Sequence, residues 1–95
     1  RFVREGDDIH SSLKVAVTDA VLGADIAVET VHGPTTLRIS PGVQPGQVFR
    51  LKGKGMPVLQ TKQHGDHFVT VLVQIPTKVS REERKLLEEW RKLQS

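Results

Sequence analysis

The chain has 95 residues, enough for one small domain with one modest core and too few to divide between two. It contains no cysteine, which excludes disulfides and thiolate metal sites within these residues and fits a reducing compartment, so a cytosolic or organelle-matrix home is the default expectation. Lys and Arg number 14 against 11 Asp and Glu, a net charge of +3 that is too mild to assign an acidic partner, and no apolar run approaches the length of a membrane span or a secretory signal.

The chain opens at Arg1, and its only methionine is Met56, so it reads as a piece of a longer protein. Phe2 to Arg4 suits a short strand, with Gly6, Asp7 and Asp8 supplying the turn into a longer one. From there Ile9, Leu13, Val15 and Val17 share one face of an extended chain and His10, Ser12 and Lys14 the other, as in a half-buried strand. Thr18-Asp19-Ala20-Val21-Leu22-Gly23 combines a capping residue, a first-turn carboxylate and a terminating glycine, which predicts one or two helical turns.

Ile26, Val28 and Thr30 alternate with Ala27 and Glu29, and His32-Gly33-Pro34 separates this strand from a second, Thr35 to Ile39. Ser40 to Gly46 holds two prolines and two glycines and must turn. Val48 to Lys52 is a short strand, and Gly53 to Gly65 reads as a long mobile loop. Phe68 to Ile75 is the most apolar run; Val69, Val71, Val73 and Ile75 lie on one face, as expected of a central strand. Ser80 and Glu83 stand at the spacing of a capping box, which starts a helix running to Gln94. Its Leu86, Leu87, Trp90 and Leu93 form one apolar stripe on a charged rod. The sum is a mainly β fold: a small two-layer, sandwich-like domain with one short internal helix and a C-terminal amphipathic helix.

Chemical motifs are few. Gly53-Lys54-Gly55 lacks the Gly-Lys-Ser/Thr ending of a phosphate loop, and Met56-Pro57 follows it, so positive φ at a strand exit explains the glycines better. His64-Gly65-Asp66-His67 is too tight to close a metal site without a ligand from elsewhere; it reads as a turn entering the Phe68 strand, and neither metal nor cofactor is expected. No Gly-x-Ser-x-Gly elbow exists, and Glu82-Glu83 and Glu88-Glu89 fall among the helix cations as a solvated face, so no catalytic role is assigned. Arg50, Lys52, Lys54 and Lys62 form one basic stretch. The few aromatic residues fit core positions better than base stacking, so these cations are taken to solubilise the surface rather than bind nucleic acid.

Five segments in order, Arg1-Phe2-Val3-Arg4-Glu5-Gly6-Asp7-Asp8-Ile9, Ala20-Val21-Leu22-Gly23-Ala24, Pro41-Gly42-Val43-Gln44-Pro45-Gly46, Arg50-Leu51-Lys52-Gly53-Lys54-Gly55-Met56-Pro57 and Gly65-Asp66-His67, resemble the second C-terminal domain of the DnaJ family. The likeness covers nearly the whole chain. Val43 stands where threonine is common, and Ala24 where many relatives have a second glycine. The resemblance implies a two-layer β domain of a dimeric co-chaperone that delivers unfolded polypeptide to a DnaK-type ATP-driven chaperone. No His-Pro-Asp motif and no Cys-x-x-Cys-x-Gly-x-Gly repeat occur here, so neither ATPase stimulation nor zinc binding of that kind is expected of these residues.

On that resemblance, residues 1–78 form the β domain and residues 79–95 a helix of the same domain that serves dimerisation through Leu86, Leu87, Trp90 and Leu93. The related preceding domain lines its client groove with the strand after the short helix, which maps onto Ile26, Val28 and Thr30, completed by Leu37 and Phe49. Two functional classes follow: a client-binding module, and a structural spacer that joins two subunits. A basic nucleic-acid-binding module ranks third, and no membrane partner is expected.

Overall fold

The computed structural model describes residues 2–58 and 63–94. In chain order they form β1 (Val3–Glu5), β2 (Asp8–Ala16), α1 (Val17–Leu22), β3 (Ala24–Thr30), β4 (Gly33–Ile39), β5 (Val48–Leu51), β6 (His67–Gln74) and α2 (Arg81–Leu93). β1 and β2 make the expected hairpin, and Gly6 at φ 64° supplies the left-handed residue that a tight turn between twisted strands requires. One sheet has the order β1-β2-β6-β5, which puts β6 in the interior as its apolar run demands. β2 and β6 run parallel, from Ile9 opposite His67 to Ala16 opposite Gln74, while β5 pairs with β6 antiparallel. β3 and β4 form a separate antiparallel ribbon, from Ala24 opposite Ile39 to Thr30 opposite Gly33.

The core lies between sheet and ribbon. Val15, Val69 and Val71 meet Val28, Leu37 and Ile39 there, with Ala20 of α1 and Val43 of the turn before β5 closing the sides. That turn is pinned: Gly42 N–H donates to Ala20 O at 2.8 Å, and Gly46 N–H to Val71 O at 2.8 Å. The mainly β architecture with two sheets and two helices agrees with the reading of the sequence.

Three local expectations need correction. Val17 belongs to α1 and not to the preceding strand; Ala16 takes the N-cap position in extended conformation, with no side-chain cap from Thr18. Ile75 lies beyond β6 and is exposed, because Pro76 next to it offers no ladder donor and ends the strand. The expected free loop from Gly53 to Gly65 is a hydrogen-bonded ladder at its base: Gly55 N–H donates to Gly65 O, Gly65 N–H to Met56 O and Val58 N–H to Gln63 O, each at 2.8 Å. Lys62, the last of the basic stretch, falls outside the described residues.

α2 begins as its sequence indicates. Ser80 Oγ accepts from Glu83 N–H at 3.1 Å, and Glu83 Oε1 accepts from Ser80 N–H at 2.8 Å, so each residue satisfies an orphan donor of the first turn. The Ser80 backbone N–H, followed by its hydroxyl, holds the Glu83 carboxyl below the usual carboxylate range. No residue of α2 is buried, so caps carry an unusual share of its stability. Ser80→Ala is expected to cost about 1 kcal/mol of helix stability. Far-UV circular dichroism should register this as lost helicity, and unchanged helicity would show that the box contributes nothing.

Candidate functional site

The residues assigned to a client groove divide according to the strand pleat. Val28, Thr30 and Leu37 are buried, Leu37 at 8% exposure, and Ile26 and Phe49 pack half-buried against the same core. Thr30 also shapes the hairpin turn, its hydroxyl donating to Gly33 O at 2.7 Å and accepting from His32 N–H at 3.1 Å. Val28, Thr30 and Leu37 thus face the core, while Ile26 and Phe49 keep part of their surface in solvent. The reason is that an alternating ribbon with one covered face turns its apolar half inward. Outward on the ribbon stand Asp25, Ala27 and Glu29 of β3 and Thr36 and Arg38 of β4, with Arg38 Nε 3.1 Å from Asp25 Oδ1 across the strands. What the ribbon does offer is backbone. Among the described residues each strand pairs with one neighbour only, leaving a row of N–H and C=O groups along its other edge.

A second surface forms where α1 meets α2. Val17, Thr18, Val21 and Leu22 line one side of an open cleft of about 290 Å³, and Leu87 and Trp90 the other. The stripe on α2 is thus split. Leu87 and Trp90, the latter 42% exposed, turn toward α1 of their own chain, whereas Leu86 and Leu93 remain largely in solvent, Leu93 at 84%. Leu22, 75% exposed, and Val21 extend the apolar surface on the α1 side. The part played by α1 escaped the sequence reading, although a signal exists: Val17, Ala20, Val21 and Leu22 are four apolar residues in a helix of six, more than one face can bury.

Near β5, Asp66 ties three segments together. Its carboxylate accepts from Gly53 N–H at 2.9 Å and from Arg50 Nε at 2.6 Å, its own N–H donates to Asp8 Oδ1 at 2.8 Å, and its carbonyl accepts from Ile9 N–H at 2.9 Å. The Gly53 amide, with the Arg50 guanidinium behind it, holds the Asp66 carboxyl below its ordinary value. Arg50 is therefore engaged in an ion pair and does not stand free in a basic patch.

His67, next in sequence, is completely buried, with Nε2 2.7 Å from Ser11 Oγ, no partner at Nδ1 among the described residues, and the Phe2 ring edge-on at 5.3 Å. Burial, reinforced by nearby His10, lowers its pKa from the usual 6.5. The unfolded chain then binds the proton more readily than the folded one. Stability from the neutral ring is fully present above about pH 6.5 and is lost as pH falls from there through the folded-state value. Thermal melting between pH 7.5 and 5 should fall less steeply for His67→Leu than for the wild type, and equal slopes would dismiss the ring as a source of acid sensitivity.

Among known proteins, the family model for the DnaJ C terminal domain matches residues 1–76, which contain every strand and α1. The chain belongs to the DnaJ C-terminal domain family. It is 48% identical over 88 residues, 93% of its length, to the Chaperone protein DnaJ of Roseiflexus sp. (strain RS-1), and 47% identical over 87 residues, 92% of its length, to that of Erysipelothrix rhusiopathiae. To the Chaperone protein DnaJ 1 of Synechocystis sp. (strain ATCC 27184 / PCC 6803 / Kazusa) it is 49% identical over 88 residues, 92% of its length. These matches cover 24%, 24% and 23% of the relatives, so the chain spans about a quarter of their length and corresponds to their C-terminal part.

In this DnaJ C-terminal domain the segments that carry the resemblance mostly hold the frame. The Pro41–Gly46 turn is bonded to α1 and β6, and the Arg50–Pro57 and Gly65–Asp66 segments build the Asp66 junction against the β1–β2 turn. The relatives are named as chaperones. No helix among the described residues is long and apolar enough to cross a membrane.

Proposed function

We propose that this DnaJ C-terminal domain joins two copies of its parent co-chaperone and holds unfolded client polypeptide for delivery to a DnaK-type chaperone in the cytosol, without a catalytic step of its own. The observation that carries this reading is the open apolar cleft between α1 and α2, lined by Leu22, Leu87 and Trp90 among others, together with the exposed Leu86 and Leu93 on the same helix. Covering a large apolar side chain fully gains about 1.5 to 3 kcal/mol, so several of them exposed on one side of a small domain favour a partner surface. A second copy, presenting the same patch about a two-fold axis, satisfies both sides at once. Residues 79–95 then act as the dimerisation element, and Leu86, Leu87, Trp90 and Leu93 as its contacts.

Client polypeptide would add as a further strand to the ribbon, with the backbone of Ala24–Thr30 giving affinity. Ile26, Val28, Thr30, Leu37 and Phe49 contribute from beneath by fixing the twist and position of that edge. Titration of the domain with an unfolded, apolar-rich polypeptide, followed by NMR, tests this. Amide shifts along Ala24–Thr30 are expected; shifts confined to other elements would remove the ribbon from the proposal. A spacer role without a client site is the second reading, favoured by the burial of Val28, Thr30 and Leu37. It predicts no client shifts anywhere in a domain that still dimerises.

A further inference from the structure

His32 lies in the turn between β3 and β4, and His64 on the ladder that follows β5, so two histidines from separate parts of the fold meet at the surface. Their ring centroids are 4.8 Å apart with planes at 83°, and both residues are exposed. His32 Nε2 stands 2.8 Å from the carbonyl oxygen of Gly55. A carbonyl only accepts, so Nε2 carries the proton and Nδ1 is left with its lone pair free. Gly55 is itself buried and bonded to Gly65 O at 2.8 Å, which makes its carbonyl a fixed anchor for the ring. An imidazole that gives one N–H to a backbone carbonyl and presents its other nitrogen is oriented as metal-binding histidines are.

The separation of the two rings suits this use. With a nitrogen–metal distance of about 2.1 Å, a ring centroid sits roughly 3.2 Å from the ion, so one ion can span centroids up to about 6.4 Å apart, and the edge-on pair at 4.8 Å is within that reach once the His64 ring rotates. The His64 imidazole makes no hydrogen bond with the described residues and can turn a nitrogen toward that point. His67, its near neighbour in sequence, is buried elsewhere and does not take part.

We infer that His32 and His64 form a surface site for a borderline transition-metal ion, Zn²⁺ being the probe of choice, that ties the β3–β4 turn to the ladder at Gly55. Among the described residues no group of three potential ligands exists, so water completes the coordination and the ion exchanges freely. The expected signature is one Zn²⁺ per chain in calorimetric titration at pH 7.5, with a higher melting temperature because two segments are held together. His32→Ala and His64→Ala should each weaken binding about tenfold or more, by analogy with the loss seen when a site's supporting partner is removed, while His10→Ala leaves it unchanged. Both substituted residues are exposed, so the variants should fold, and circular dichroism checks that they do. NMR of the ring nitrogens adds an independent reading: the His32 Nδ1 resonance shifts on Zn²⁺ addition while Nε2 stays protonated. Absence of binding at millimolar Zn²⁺, binding untouched by either substitution, or equal loss with His10→Ala would overturn the site.

Discussion

Gly65→Ala is expected to destabilise the domain by about 3 kcal/mol or more, the upper range for atoms forced into filled space. A Cβ at this position would collide with the carbonyl oxygen of Asp7, lie 2.5 Å from the carbon of that carbonyl, and lie 2.8 Å from Asp8 Oδ1. None of these atoms can yield cheaply. Asp7 O accepts from Met56 N–H at 2.8 Å, Asp8 Oδ1 accepts from Asp66 N–H at 2.8 Å, and Gly65 is bonded at both its own N–H and carbonyl. Opening the contact therefore separates the β1–β2 turn from the Asp66 junction. Gly53 offers the contrast, since nothing lies within 4 Å of its Cβ position and only its φ of +75° opposes a side chain. Gly53→Ala should cost about 1 kcal/mol. Urea denaturation of both variants separates the two effects; a Gly65→Ala protein as stable as the wild type would mean that the close approach at Asp7 relaxes freely.

Leu37→Ala is expected to cost about 3 kcal/mol, within the range for truncating a buried leucine. Leu37 of β4 packs between the ribbon and the large sheet in one cluster with Val28, Ile39, Val69 and Val71, and the void left by its removal has strands on both sides. Any loss of client binding in this variant should then track the unfolded fraction. Thr36→Ala, one residue away on the outward face, should change stability by no more than about 0.5 kcal/mol. Denaturation midpoints and client titrations on the same preparations decide between core and contact. A Leu37→Ala protein of wild-type stability that no longer binds client would return the side chain to the client site.

Periodicity and capping chemistry made much of this fold legible. The alternation in Ile9–Val15, the valines of β6 and the Ser80–Glu83 box mark elements that the structure contains. Alternation names two faces of a strand but not its neighbour, so the parallel pairing of β2 with β6 could not be read from it. The same limit bears on the client residues: alternation groups Val28 with Thr30 on one face of its strand but does not say that this face, with Leu37 of the neighbouring strand, is the one turned to the core. Glycine posed the opposite difficulty. Gly55 and Gly65 suggested a flexible loop, yet they serve close backbone approach, which depends on Asp7 some fifty residues away in the chain. His32 and His64 could not be matched in the sequence, because only the ladder at Gly55 brings them together.

The central proposal is that the α1–α2 surface joins two copies of this chain, and equilibrium sedimentation over a concentration series tests it most directly. Wild-type chain should rise from monomer to dimer mass with increasing concentration, and Trp90→Ala, with an unchanged circular dichroism spectrum, should stay monomeric over the same range, because Trp90 is the largest side chain lining the cleft and tryptophan is favoured at interface centres. A wild type that remains monomeric at the highest concentration, or a dimer indifferent to both Trp90→Ala and Leu93→Ala, would contradict the account.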